Sequence, residues 1–179
     1  GGNDNVVVIY KIENQKLVQD GEIKLGEPKA KISPAGLCVD AQNNRLYVTA
    51  KDSKSFFICD LQSRQVIKEE KLNSEPYTCM IAPQSNELYI TLWGGAKVIV
   101  YDILKEKMTA EIATNSHPND MVFTKDGKYL FVPNGNDNTV SVIETASYSL
   151  IEHISASLYP NAPVGSTPNG VALSPDERT

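Results

Sequence analysis

The side chains best suited to chemistry gather at His117-Pro118-Asn119-Asp120, which puts an imidazole, a carboxamide and a carboxylate within four positions. Asp120 and Asn119 could hold a small molecule or an ion. Alternatively, Asp120 is a turn or strand-start residue that hydrogen-bonds nearby backbone N–H groups. A metal site on His117 needs a second ligand at suitable spacing, and the other histidine, His153, does not offer one. Trp93, the single tryptophan, precedes Gly94-Gly95, and either stacks on a ligand or partner or covers the edge of a core. Asn134, Asn136 and Asn138 alternate as in half of a calcium loop, but the spaced acids and terminal Glu of such a loop are missing, so turn formation accounts for them better. Tyr77, Asn169 and Tyr159 complete the candidate binding residues. Cys38, Cys59 and Cys79 lie inside apolar runs without paired zinc spacing, which reads as buried thiols. No Ser-His-Asp order with a supporting motif, Gly-rich phosphate loop or CxxCH haem attachment is present, so no catalytic residue, metal or cofactor is assigned.

The elements that must position these residues come from a repeat. Residues 118–154 contain four short apolar runs, MVF, YLFV, TVSVI and LIEHI, separated by KDGK, NGNDN and TASYS. Turn chemistry between runs rich in Val, Ile, Tyr and Phe predicts a four-stranded antiparallel meander. Copies lie upstream: Pro34, Pro76 and Pro118 are spaced by 42 residues, and so are Leu46, Leu88 and Leu130, and Asp60, Asp102 and Glu144. A period near 42 with four strands per repeat is that of propeller blades. Consecutive apolar positions in FFIC, VIVY and LCV fit strands covered on both faces by neighbouring blades.

The expected fold is therefore all-β, a β-propeller of four-stranded antiparallel blades, with about three and a half blades in 179 residues. Residues 1–25 read as the second half of a blade, 34–72, 76–112 and 118–154 as complete blades, 155–167 as an inter-blade insertion, and 168–179 as the first strand of the next blade. Strand connectivity puts the inter-blade connections on one face with the loops between second and third strands. That face gathers Tyr77, His117, Asn119, Asp120, Asn169 and the 155–167 insertion, with Lys51, Trp93, Gly94, Gly95, Asn134 and Asn136. The opposite face receives the QNNR, QSNE and KDGK hairpins. Uncovered blade ends predict missing blades, and a tendency to aggregate or pair with another copy.

Composition narrows the partners. A net charge of -5 and a pI near 5.1 argue against nucleic acid, and no apolar run is long enough for a membrane helix.

The segments LYVTA, LYITL and LFVPN after PAGLCVD, PYTCMIAP and PNDMVFTKDGK, with VSVIETASYSL and PNGVALSPDE, resemble the YVTN-type bacterial β-propeller repeat. LWGG at 92–95 and VTAKDSK at 48–54 depart from it. Within that group, AEIATNSHPND and LYPNAPVGSTPNGVALSPDE look like bacterial proteins that join a seven-bladed propeller to an alkaline-phosphatase-type phosphoesterase domain. The resemblance implies a periplasmic or cell-surface protein whose catalysis belongs to a C-terminal domain outside this segment. It makes the segment a non-catalytic binding or scaffolding module, presenting its loop face to that domain, a small ligand or a cell-envelope partner. The competing expectation is a lactonase-like hydrolase with a divalent metal at the channel mouth, in which Asp120 would act with carboxylates from other blades.

Overall fold

The computed structural model describes residues 4–164 and 167–178. Gly1, Gly2, Asn3, Gly165, Ser166 and Thr179, which belong to the expected half-blade, insertion and last strand, lie outside the described residues. The chain divides into two compact units, one ending at Pro76 and the other beginning at Tyr77.

In the first unit, β1 (Val6–Glu13) and β2 (Lys16–Lys24) form a two-stranded antiparallel sheet. A four-stranded antiparallel meander follows, made of β3 (Pro34–Asp40), β4 (Arg45–Ala50), β5 (Ser55–Asp60) and β6 (Gln65–Lys71). Ile23, Leu25 and Ile32 pack with Leu46, Val48, Phe57 and Cys59 into one core. Burial is continuous along Phe56-Phe57-Ile58-Cys59 but alternates along the outer strand β6. The apolar run and the mixed run thus mark a covered inner strand and a half-solvated outer one.

The second unit holds two more meanders. One contains β7 (Pro76–Ile81), β8 (Glu87–Leu92), β9 (Lys97–Asp102) and β10 (Lys107–Ala113). The other contains β11 (Val122–Phe123), β12 (Tyr129–Asn134), β13 (Thr139–Glu144) and β14 (Ser149–Ser155). Their facing sides close a core of Tyr89, Val98, Val100, Met121, Phe123, Leu130 and Val132. At its centre Tyr89 and Phe123 meet edge to face, with ring centroids 5.1 Å apart.

The periodic anchors have physical causes. Asp60 Oδ1 accepts the Ser63 N–H at 2.6 Å, and Asp102 Oδ1 accepts those of Leu104 and Lys105 at 3.0 and 2.8 Å, so an acid at the end of a third strand builds the next turn. The residue before each third strand, Asn5, Lys54, Ala96 or Asn138, is left-handed, with φ between 48° and 54°. Its carbonyl accepts the first N–H after the fourth strand, from Leu25, Leu72, Thr114 or Ala156, at 2.7–3.0 Å. Each third–fourth strand pair has its register shift at the same place, Ile9/Tyr10 in β1 and Ile58/Cys59 in β5. The β1–β2 sheet therefore has the geometry of the second half of a blade.

Two departures from the sequence reading concern strands. Residues 168–178, expected as a first strand, carry no strand assignment. In the complete blades a first strand pairs with the second strand of its own blade, and the described residues contain no such partner for this segment. The first strand of the last blade is shortened to Val122–Phe123, preceded by a single bridge between Pro118 and Asn134.

Pro133 distinguishes this blade from the two before it. In the two preceding blades a threonine at the equivalent position accepts a first-strand N–H through its hydroxyl: Gly36 N to Thr49 Oγ1 at 2.8 Å, and Thr78 N to Thr91 Oγ1 at 3.1 Å. Proline has no hydroxyl to offer. Here the Pro133 carbonyl accepts the Asn119 N–H at 3.0 Å, and Asp120 Oδ1 accepts the N–H of Met121 at 2.9 Å.

Candidate loop-face site

The second unit brings together a set of loop residues from several places in the sequence. Trp93 opens a short 3-10 turn, Trp93–Gly95, after β8, and Ala96 leaves that turn in the left-handed conformation. The Trp93 and His117 rings meet edge to face with centroids 4.1 Å apart. His117 is itself left-handed (φ 59°), and its Nδ1 lies 2.7 Å from Ser116 Oγ. The carbonyl of His117 accepts the Gly135 N–H at 2.9 Å, and that of Ser116 accepts the Asn136 N–H at 3.4 Å. An inter-blade connection and a second-to-third-strand loop therefore share one face.

Asn119 is the hinge of this cluster. Its buried amide Nδ2 donates to Asn169 Oδ1 at 2.8 Å, while its carbonyl accepts the Thr91 hydroxyl at 2.9 Å. A Cβ at Gly135 would stand 2.7 Å from Asn119 Nδ2, so the loop needs glycine there while the amide keeps its position. Asp120 is half-buried, and its Oδ2 lies near Gly170. Trp93, His117, Asn119, Asp120 and Asn169 are thus neighbours, as the strand connectivity requires. Tyr77 and Tyr159 are 42% and 57% exposed.

Asn134 and Asn138 resolve into structural roles, and Asn136 is exposed. The fully buried Asn134 donates to Thr139 Oγ1 at 3.1 Å and Ser141 Oγ at 2.9 Å. Asn138 donates to the Pro163 carbonyl at 2.6 Å, tying down the insertion. In the first unit Asn5 does the same with the long connection after β2, donating to the Glu27 and Ala30 carbonyls at 2.8 and 2.7 Å. Asparagine stands before the third strand where the following connection is long, whereas Lys54 and Ala96 precede short ones. Asparagine tolerates the left-handed backbone and supplies the donor. In the sequence Asn3-Asp4-Asn5 repeats Asn136-Asp137-Asn138, and that repeat carries the signal.

Two Ser–His contacts arise, Ser116 with His117 and Ser141 with His153 at 3.2 Å. Neither has the geometry of a nucleophile. Ser141 is fully buried and already accepts from Asn134, which leaves no approach for a substrate. The nearest carboxylate to Ser116 in its bonding, Asp137, accepts that residue's backbone N–H and does not orient the imidazole. No group of three or more His, Cys, Asp or Glu suited to a metal occurs among the described residues. Two perturbed groups lie elsewhere. Glu75, bonded to Lys54 Nζ at 2.8 Å, is pulled down to about 2, chiefly by that bond. The Tyr148 hydroxyl donates to Glu87 and is pushed up to about 12, chiefly by that bond. Both are ties between turns and neighbouring strands.

Comparison with solved structures bears on the architecture. The Kuenenia stuttgartiensis hydrazine synthase matches 82% of this chain with a TM-score of 0.71 at 23% identity. The fold is that of β-propeller blades. The chain corresponds to 42% of the length of that hydrazine synthase chain. In all, 1126 chains of solved structures match, which makes the likeness one of a widely used fold. No protein-family model matches, and a search of curated proteins finds no match.

Proposed function

We propose that this chain is a binding or scaffolding propeller module that performs no catalysis itself and presents its loop face to a partner. The observation that carries the reading is the insertion after β14. Asn138 anchors it at Pro163, and a Tyr159–Ala162 turn (N to O 3.1 Å) shapes it, yet Leu158, Tyr159 and Val164 stand 84%, 57% and 75% exposed. A loop anchored by a buried side chain that offers three large apolar groups to solvent is suited to docking. Beside it, the polar groups of Asn119 and Asp120 serve loop and backbone partners, which favours a supporting surface over a reaction centre.

The finer reading is a segment of an exported bacterial protein of the YVTN-repeat type, with the loop face turned to an appended phosphoesterase domain or a cell-envelope partner. Its support is the repeat pattern and the bond by which Asn138, at the end of the β12–β13 loop, holds the insertion. Chain 1–179 is expected to leave p-nitrophenyl phosphate, bis(p-nitrophenyl) phosphate and simple lactones unchanged, with or without added divalent metal. Turnover of any of these that disappears in Asp120→Ala would overturn the proposal and favour a hydrolase.

A further inference from the structure

Four residues hold the same place in the repeat, each directly before the last strand of its sheet: Gln15 before β2, Arg64 before β6, Glu106 before β10 and Tyr148 before β14. All four are left-handed, with φ of 64°, 58°, 50° and 51°. A tight antiparallel turn ordinarily puts glycine or asparagine at such a position, because a Cβ is strained there. The sequence forgoes both at all four. At two of them the contacts show what the side chain gains.

Arg64 leaves its own turn and reaches β2, in the strand pair before its own blade. Its Nη2 pairs with Asp20 Oδ2 and its Nη1 donates to the Asp20 carbonyl, while Lys11 Nζ holds the other carboxylate oxygen at 3.1 Å. Gly21 gives the guanidinium its seat, since a Cβ there would overlap Arg64 Nη1. Tyr148 makes the corresponding reach in the second unit. Its ring packs against the core between the two meanders, and its hydroxyl donates to Glu87 Oε1, at the start of β8 in the preceding blade. Glu87 Oε2 accepts the Tyr89 hydroxyl at 3.4 Å, so one carboxylate receives a phenol from each blade. Arg64 and Tyr148 are accordingly half-buried, whereas Gln15 and Glu106 are exposed.

We propose that this turn position is where a blade recognises the blade before it, through a side-chain donor that takes a carboxylate of that neighbour, at Arg64 with Asp20 and at Tyr148 with Glu87. The turns share one backbone form, so the backbone cannot tell one neighbour from another. The side chain at this position can. A guanidinium spans the carboxylate and the carbonyl of Asp20, and a phenol takes one oxygen of Glu87 while laying its ring on the core. In a repeat fold the contacts between neighbours are a separate contribution to stability. Here part of that contribution sits in the outer turns, outside the apolar strands that the blades have in common.

The test is thermal unfolding of variants of the full chain. Local backbone preference alone makes glycine the better residue at each of these turns. Gln15→Gly, at an exposed position, should hold or raise the Tm, whereas Arg64→Gly and Tyr148→Gly should each lower it by roughly 2 °C or more. Tyr148→Phe keeps the ring and removes the donor. It should lower the Tm by about 3 °C, and should cost nothing further in a Glu87→Ala background. No change or a rise in Tm from either Arg64→Gly or Tyr148→Gly would overturn the proposal. So would an equal loss from Gln15→Gly, which would make the effect one of glycine in the turn, or a Tyr148→Phe loss of the same size with and without Glu87, which would leave Tyr148 a packing residue only.

Discussion

Thr91→Val is the sharpest single perturbation of the loop face, because it removes a hydroxyl while preserving shape. Thr91 is fully buried, and its Oγ1 accepts the Thr78 N–H at 3.1 Å and donates to the Asn119 carbonyl at 2.9 Å. One hydroxyl thus holds the first strand of its own blade and the entry to the next. Valine strands a partly buried donor and a buried acceptor, each costing about 1–3 kcal/mol. With the partly exposed Thr78 N–H at the low end, the loss is about 2–4 kcal/mol. Urea unfolding should show it as a lower midpoint with an unchanged m value. Thr91→Ser keeps both bonds and should stay within about 1 kcal/mol of the parent. A loss below about 0.5 kcal/mol for Thr91→Val, or equal losses for Val and Ser, would refute the claim that this hydroxyl joins the blades.

Three further outcomes follow from the same contacts. The folded-state pKa of Glu75 lies below its ordinary 4.5, at about 2, so its contribution is complete above pH 4.5 and is lost as pH falls toward 2; Glu75→Gln should flatten the acid limb of Tm against pH in that window. Asn138→Gly keeps the left-handed backbone but removes the donor to Pro163, and should cost about 1 kcal/mol with faster amide exchange in residues 156–164, while Asn138→Ala should cost about 1 kcal/mol more through backbone strain. Burial pushes the Cys59 thiol up to about 11, so native protein should leave it unmodified by iodoacetamide at pH 8 while denatured protein reacts fully.

The fold was legible because a repeat multiplies weak signals. One LYVT run is ambiguous, but three in register at a fixed spacing are not, and Asp60 and Asp102 add the turn chemistry that sets that spacing. Connectivity also brought Trp93, His117, Asn119, Asp120 and Asn169 to one face before any distance was known. The bonding within that face was hidden. Thr49 and Thr91 read as ordinary strand residues, since β propensity explains a threonine without reference to its hydroxyl. The loss of that hydroxyl at Pro133 gains meaning only beside the bonds made by Thr49 and Thr91. The amide clamps of Asn5 and Asn138 were masked by the same ambiguity, because asparagine before a strand is already accounted for by the turn.

If the chain is a segment of a longer polypeptide, as proposed, amide exchange in that polypeptide, compared with chain 1–179 alone, tests the central claim most directly. If the loop face meets a partner in that polypeptide, protection should rise at Leu158, Tyr159, Val164 and around Asn119, while the opposite-face turns at Asn43, Ser85 and Asp126 stay unchanged. Protection confined to those opposite-face turns, or no difference at either face, would contradict it.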